Sequence, residues 1–144
     1  MGVIAFKLPE KPTEPFVSLL QKLETRVVEN KAAYFGGFGI FLTLDKPLVQ
    51  DRTGGAAVGA GEGLIKDLKL KEVTIGLEHK DTPHLATFGI DKEKPESSEI
   101  TILVYKRHKV EKRFTFTNTK KMTDNDVNEI IAAVDKILPP KKPN

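Results

Sequence analysis

The chain has 144 residues, 39% of them hydrophobic and 30% charged, and a formal charge of +3 at pH 7. That length suits one domain burying roughly two thirds of the surface an unfolded chain exposes, and the composition excludes a wholly disordered chain. Cysteine is absent, which removes disulfides, thiol catalysis and cysteine-rich zinc sites together.

The apolar start, Met1 to Leu8, is interrupted by Lys7 and Pro9 and is too short for a secretory segment. No apolar run approaches the ~20 residues of a membrane span. Position 6 is Phe where a myristoylation signal wants Ser or Thr. These features point to a soluble cytoplasmic protein. Six of the nine prolines lie in the tails, so residues 1–12 read as a flexible proline-containing extension, 13–138 as a single α+β domain, and 139–144 as a proline and lysine tail.

Thr13 can cap a first helix, with Glu14 and Pro15 in its opening turn and Phe16, Leu19, Leu20, Leu23 and Val27 as its apolar stripe. Asn30 suits its end. Ala32 to Phe35 and Phe38 to Leu44 then read as two strands in a hairpin about Gly36-Gly37. A glycine- and alanine-rich stretch, 51–63, precedes a short helix over 63–68 and a strand alternating at Val73, Ile75 and Leu77. Asp81-Thr82-Pro83 turns the chain, Leu85 to Ile90 is another strand, and Lys92 to Ser98 is a polar loop.

Ile100 to Tyr105 is apolar on both faces, as a covered central strand would be. It leads through Lys106-Arg107-His108-Lys109 into the returning strand Lys112 to Thr117. Thr123 to Asp126 can cap a last helix whose Val127, Ile130, Ile131, Val134, Ile137 and Leu138 follow helical spacing. Each terminal helix has one apolar stripe and needs a sheet to bury it. The expected architecture is therefore an α+β domain, an antiparallel sheet of about six strands with both helices packed against it.

Reactive chemistry finds little footing. The glycine cluster from Gly54 to Gly63 lacks the Lys and Ser or Thr of a phosphate loop and the spacing of a dinucleotide fingerprint. His79, His84 and His108 are the only histidines, and no pair sits at helical i, i+4 spacing. No nucleophile has a base beside it. Catalytic residues, a metal site and a cofactor are accordingly not expected.

The basic hairpin competes for a functional role. Between Tyr105 and Lys121, seven cations face one acid, Glu111. Charges on an exposed strand guard a sheet edge against stray pairing, and they can also dock an acidic partner. Phosphoinositide heads fit Lys106, Arg107, Lys109, Lys112 and Arg113 on such a rim. RNA would call for exposed aromatic rings between the charges. Only Tyr105 is near in sequence, so nucleic acid is not expected.

In layout, Ala32 to Gly36, Gly39 to Leu44, the final hairpin and the run Asn118 to Leu138 resemble the profilins, and in particular the divergent profilins of Asgard archaea. The resemblance implies that the two terminal helices pack side by side on one face of the sheet, in a monomeric, non-enzymatic, cytoskeleton-associated protein that captures an actin monomer and regulates filament assembly. Its partner surface would comprise Lys92, Lys106, Lys112, Arg113, Thr115, Met122, Asn128 and Glu129. Profilins grip proline-rich peptides with aromatic side chains, whereas this chain has no Trp, only Phe16 in its first helix and no aromatic in its last. Polyproline binding is therefore not carried over. The alternative is a phosphoinositide-binding or other protein-interaction module of pleckstrin-like build.

Overall fold

The first strand forms where the sequence suggests a loose extension. In the structure, a computed structural model describing residues 2–5, 12–43, 63, 65–79, 100–107, 109–117 and 119–139, Gly2–Ala5 is strand β1 and the middle member of a five-stranded sheet. Its prolines mark 1–12 as an extension, but an apolar run of four or five residues is also the mark of a strand buried in a sheet. The second property prevails over Gly2–Ala5.

β1 is followed by helix α1, Glu14–Glu29, strand β2, Phe38–Thr43, strand β3, Thr74–His79, strand β4, Ile100–Lys106, strand β5, Lys109–Phe116, and helix α2, Asp124–Ile137. The sheet order is β3-β2-β1-β4-β5. β1 pairs parallel with β2, from Gly2 opposite Phe38 to Ala5 opposite Phe41, and β2 pairs parallel with β3. β1 and β4 are antiparallel, as are β4 and β5. The sheet is thus mixed, which corrects the all-antiparallel expectation. Parallel neighbours need a crossover, and α1 supplies the one between β1 and β2.

The hairpin expected about Gly36-Gly37 is also absent. Lys31–Ala33 make a single 3₁₀ turn, and Tyr34 closes it in the left-handed conformation at φ 54°. A Cβ on Gly37 would stand 2.9 Å from the Leu23 side chain, so glycine lets the chain pass close to α1 before β2 begins. The expected strand 85–90, its flanking turn and loop, the glycine-rich stretch 51–62 and residues 140–144 lie outside the described residues.

α1 and α2 pack against one another. They share one core with Ile100, Ile102 and Val104, which alternate along β4. Phe16, Leu19, Leu20 and Leu23 of α1 and Val127, Ile130 and Val134 of α2 are fully buried in it. Each such side chain contributes about 1.5–3 kcal/mol before conformational entropy is counted. Both terminal helices therefore cover one side of the sheet, while Thr101 and Leu103 on the other face of β4 are buried as well.

Polar ties fix the helices. The Arg26 guanidinium donates to both Asp135 carboxylate oxygens, at 2.6 and 3.0 Å, joining α1 to α2. Glu24 accepts from the backbone N–H groups of Lys71, Glu72 and Val73 at 2.9–3.1 Å, anchoring the approach to β3. Just before it, a helical segment over 65–68 ends with Leu70 N–H donating to the Ile65 carbonyl and Lys69 N–H to Lys66, with Lys69 left-handed at φ 53°.

Candidate docking surface

β5 pairs with β4 on one side and lies at the end of the sheet order. Lys109 through Arg113 are exposed without interruption. Phe114 and Phe116 are half-buried against the core, opposite Ile102 and Ile100. Arg113 and Thr115 pair with Leu103 and Thr101, so they share the sheet face away from the helices. Lys112 lies on the helix side, its ammonium 4.9 Å from the centre of the Phe114 ring. Cations thus stand on both faces of one edge.

The register slips between Val104 and Tyr105, and this bulge strengthens the local twist at the edge. Beyond it Tyr105 pairs with Val110 and Lys106 with Lys109. Arg107 opens the turn in the left-handed conformation, at φ 50°. Lys106, Arg107 and Lys109 are all exposed around this turn.

The start of α2 differs from the expected partner surface. Met122 is only 3% exposed and belongs to the core, which removes it from any docking face. Met122 enters the expected surface only through the resemblance, and its apolar thioether packs instead within the hydrophobic core. Asn128 is exposed, and its side-chain oxygen accepts from the Lys22 ammonium at 2.9 Å, placing it on the seam with α1. Glu129 is exposed on α2, and Lys92 lies outside the described residues. The expected residues that share the sheet edge are Lys112, Arg113 and Thr115 on β5, with Lys106 at the adjoining turn.

The helix start is built as its sequence suggests. The Thr123 hydroxyl accepts from Asp126 N–H at 3.3 Å, and Asp126 accepts from Thr123 N–H at 2.8 Å. Hydrogen bonds from the Thr123 hydroxyl and then from its backbone N–H hold the Asp126 carboxyl below the usual aspartate range. With Asp124 beside it, this turn is anionic. The positive surface therefore does not continue onto α2.

A concavity lies at the other end of α2. A cleft of about 540 Å³ is bounded by the turn after α1, the β4–β5 turn and the end of α2, with Tyr34, Phe35, Tyr105, Lys106, Arg107 and Leu138 on its walls. Tyr34 is 98% exposed. Tyr105 is half-buried, its ring 6.3 Å from that of Phe38, and burial pushes its hydroxyl pKa up. Sequence reasoning misses Tyr34 because it places that residue inside a strand. Two aromatics immediately before a double glycine are the signal that could have found it.

His79 ends β3, and His84 and His108 lie outside the described residues. Among the described residues no three His, Cys, Asp or Glu side chains gather as a metal site, and no helix is long and apolar enough to cross a membrane. Compared with protein-family models, curated proteins and solved structures, the chain matches none.

Proposed function

We propose that this chain is a binding protein, without a catalytic role, that docks an acidic macromolecular surface along β5 and the β4–β5 turn. The supporting observation is the unbroken exposure of Lys109 through Arg113 on an edge strand that pairs on one side only among the described residues. Lys106, Arg107, Lys109, Lys112 and Arg113 give this edge its charge, and complementary charge speeds encounter and fixes register with an acidic partner. The bulge and the lysines discourage edge-to-edge pairing with another copy, which suits a monomer.

The actin monomer, implied by the resemblance to profilins, is the partner to try first. A strand ahead of the first helix and two parallel pairings depart from the layout on which that resemblance rests, so the proposal stands on the edge and its charge. The test is actin polymerisation in the presence of the full chain. The chain slows assembly by holding monomers, and the double variant Lys112→Glu/Arg113→Glu loses the effect severalfold while melting at an unchanged temperature. Unchanged polymerisation at saturating protein removes actin from the reading. Sedimentation with phosphoinositide vesicles, in the absence of any effect on actin, would assign the cations to the lipid alternative.

A further inference from the structure

The cleft at the end of the helices combines two features that the sequence keeps 71 positions apart, the Tyr34 ring and the Tyr105-Lys106-Arg107 run. The expectation against nucleic acid turns on a missing ingredient, exposed aromatic rings beside the charges. The fold supplies it. Tyr34 presents almost its whole surface to solvent, in a left-handed conformation that costs a non-glycine residue about 1 kcal/mol. Its ring returns nothing to the core for that cost.

We infer that this cleft binds single-stranded nucleic acid, a base stacking on Tyr34 while Lys106 and Arg107 hold the adjoining phosphates. The volume suits one nucleotide, since pockets for small organic ligands span about 300–1,000 Å³. Among the described residues that line the cleft none is acidic, and Lys106 and Arg107 make that described wall cationic. Lys109 adds a further exposed cation at the same turn, and Lys112 another past the exposed Glu111, as a strand of successive phosphates requires and a lone mononucleotide does not. Stacking on an aromatic ring together with charge on the phosphates makes no demand on base identity, so the binding tolerates sequence.

The inference reaches beyond the docking edge, and Tyr34 separates the two because it is not part of β5. Fluorescence anisotropy of labelled single-stranded oligouridylate with the full chain provides the test. Tyr34→Asn keeps a residue that tolerates the left-handed conformation and removes the ring, and it weakens binding about tenfold. Tyr34→Phe retains wild-type affinity. Lys106→Glu/Arg107→Glu lowers affinity and flattens its dependence on salt by about one unit or more of log–log slope. Equal affinity of Tyr34→Asn and wild type overturns the inference. So does equal binding of a duplex RNA of the same length, or of uridine monophosphate alone.

Discussion

Replacing Glu24 by Ala removes one carboxylate that serves three consecutive backbone donors, and the cost can be worked group by group. Lys71 is exposed, so water can take over its N–H, and Glu72 is half-buried. Val73 is only 4% exposed, and its N–H, now paired to Glu24 at 2.9 Å, would be stranded. An orphaned buried donor costs about 1–3 kcal/mol, and the loss of charge-assisted bonds to the other two brings the total to about 2–3 kcal/mol. Urea denaturation should report that loss, with a melting temperature lower by roughly 5–10 °C for a chain of this size. The pH dependence gives an independent check. Burial alone would raise the Glu24 pKa, but the N–H donors of Val73, Lys71 and Glu72, helped by the Lys71 charge, more than offset it and leave the pKa below the ordinary 4.5. A depressed folded pKa means that the contribution is whole above the ordinary value and is lost as pH falls through the folded one. The gap between wild type and Glu24→Gln should therefore close on acidification. A Glu24→Ala loss below about 0.5 kcal/mol, the scatter of neutral surface changes, refutes the reasoning.

Two further outcomes follow from helix ends. Thr123→Ala breaks the capping box and should cost about 1 kcal/mol by chemical denaturation. Because Asp126 is held below the usual aspartate range, the part of that loss due to its charge fades as pH drops through its folded value. Lys69→Gly should stabilise the chain by about 1 kcal/mol, since glycine adopts the left-handed conformation without the Cβ penalty that Lys69 bears at φ 53°. A lower melting temperature for Lys69→Gly would mean that the lysine side chain contributes more than its backbone strain costs.

What was legible in the sequence was local. The stripes of α1 and α2, the Thr123–Asp126 box, the β4–β5 hairpin and the short helix before β3 are written in spacings of three and four residues, or in turn residues next to alternating strands. Strand partners are not local. Phe38–Thr43 reads as a strand whether it pairs with 32–35 or with β1, and only competition among all the strands decides. The same limit governs the site. Lys112 and Arg113 are visible because consecutive residues on one strand stay together, whereas Met122 enters the expected surface by the resemblance alone and is placed in the core by packing. Tyr34 and Arg107 are invisible as a pair.

Topology explains why those two meet. Gly2 pairs with Phe38 on one side and with Leu103 on the other, so the start of β2 and the end of β4 reach the same border of the sheet. The parallel pairing puts the turn after α1 at that border, because α1 must carry the chain back to where β1 began. Antiparallel β4 runs towards the border and turns there through Lys106 and Arg107. β5 runs away from it, and α2 returns to end at Ile137, Leu138 and Pro139 on the cleft wall. Had the chain folded as the expected hairpin about Gly36-Gly37, Tyr34 would lie within a strand and the border would keep its cations and the half-buried Tyr105 without an exposed ring. The parallel β1–β2 pair is thus the structural cause of Tyr34's place on the cleft wall, and the nucleic-acid inference depends on it directly, while the acidic-partner reading depends only on the β4–β5 hairpin.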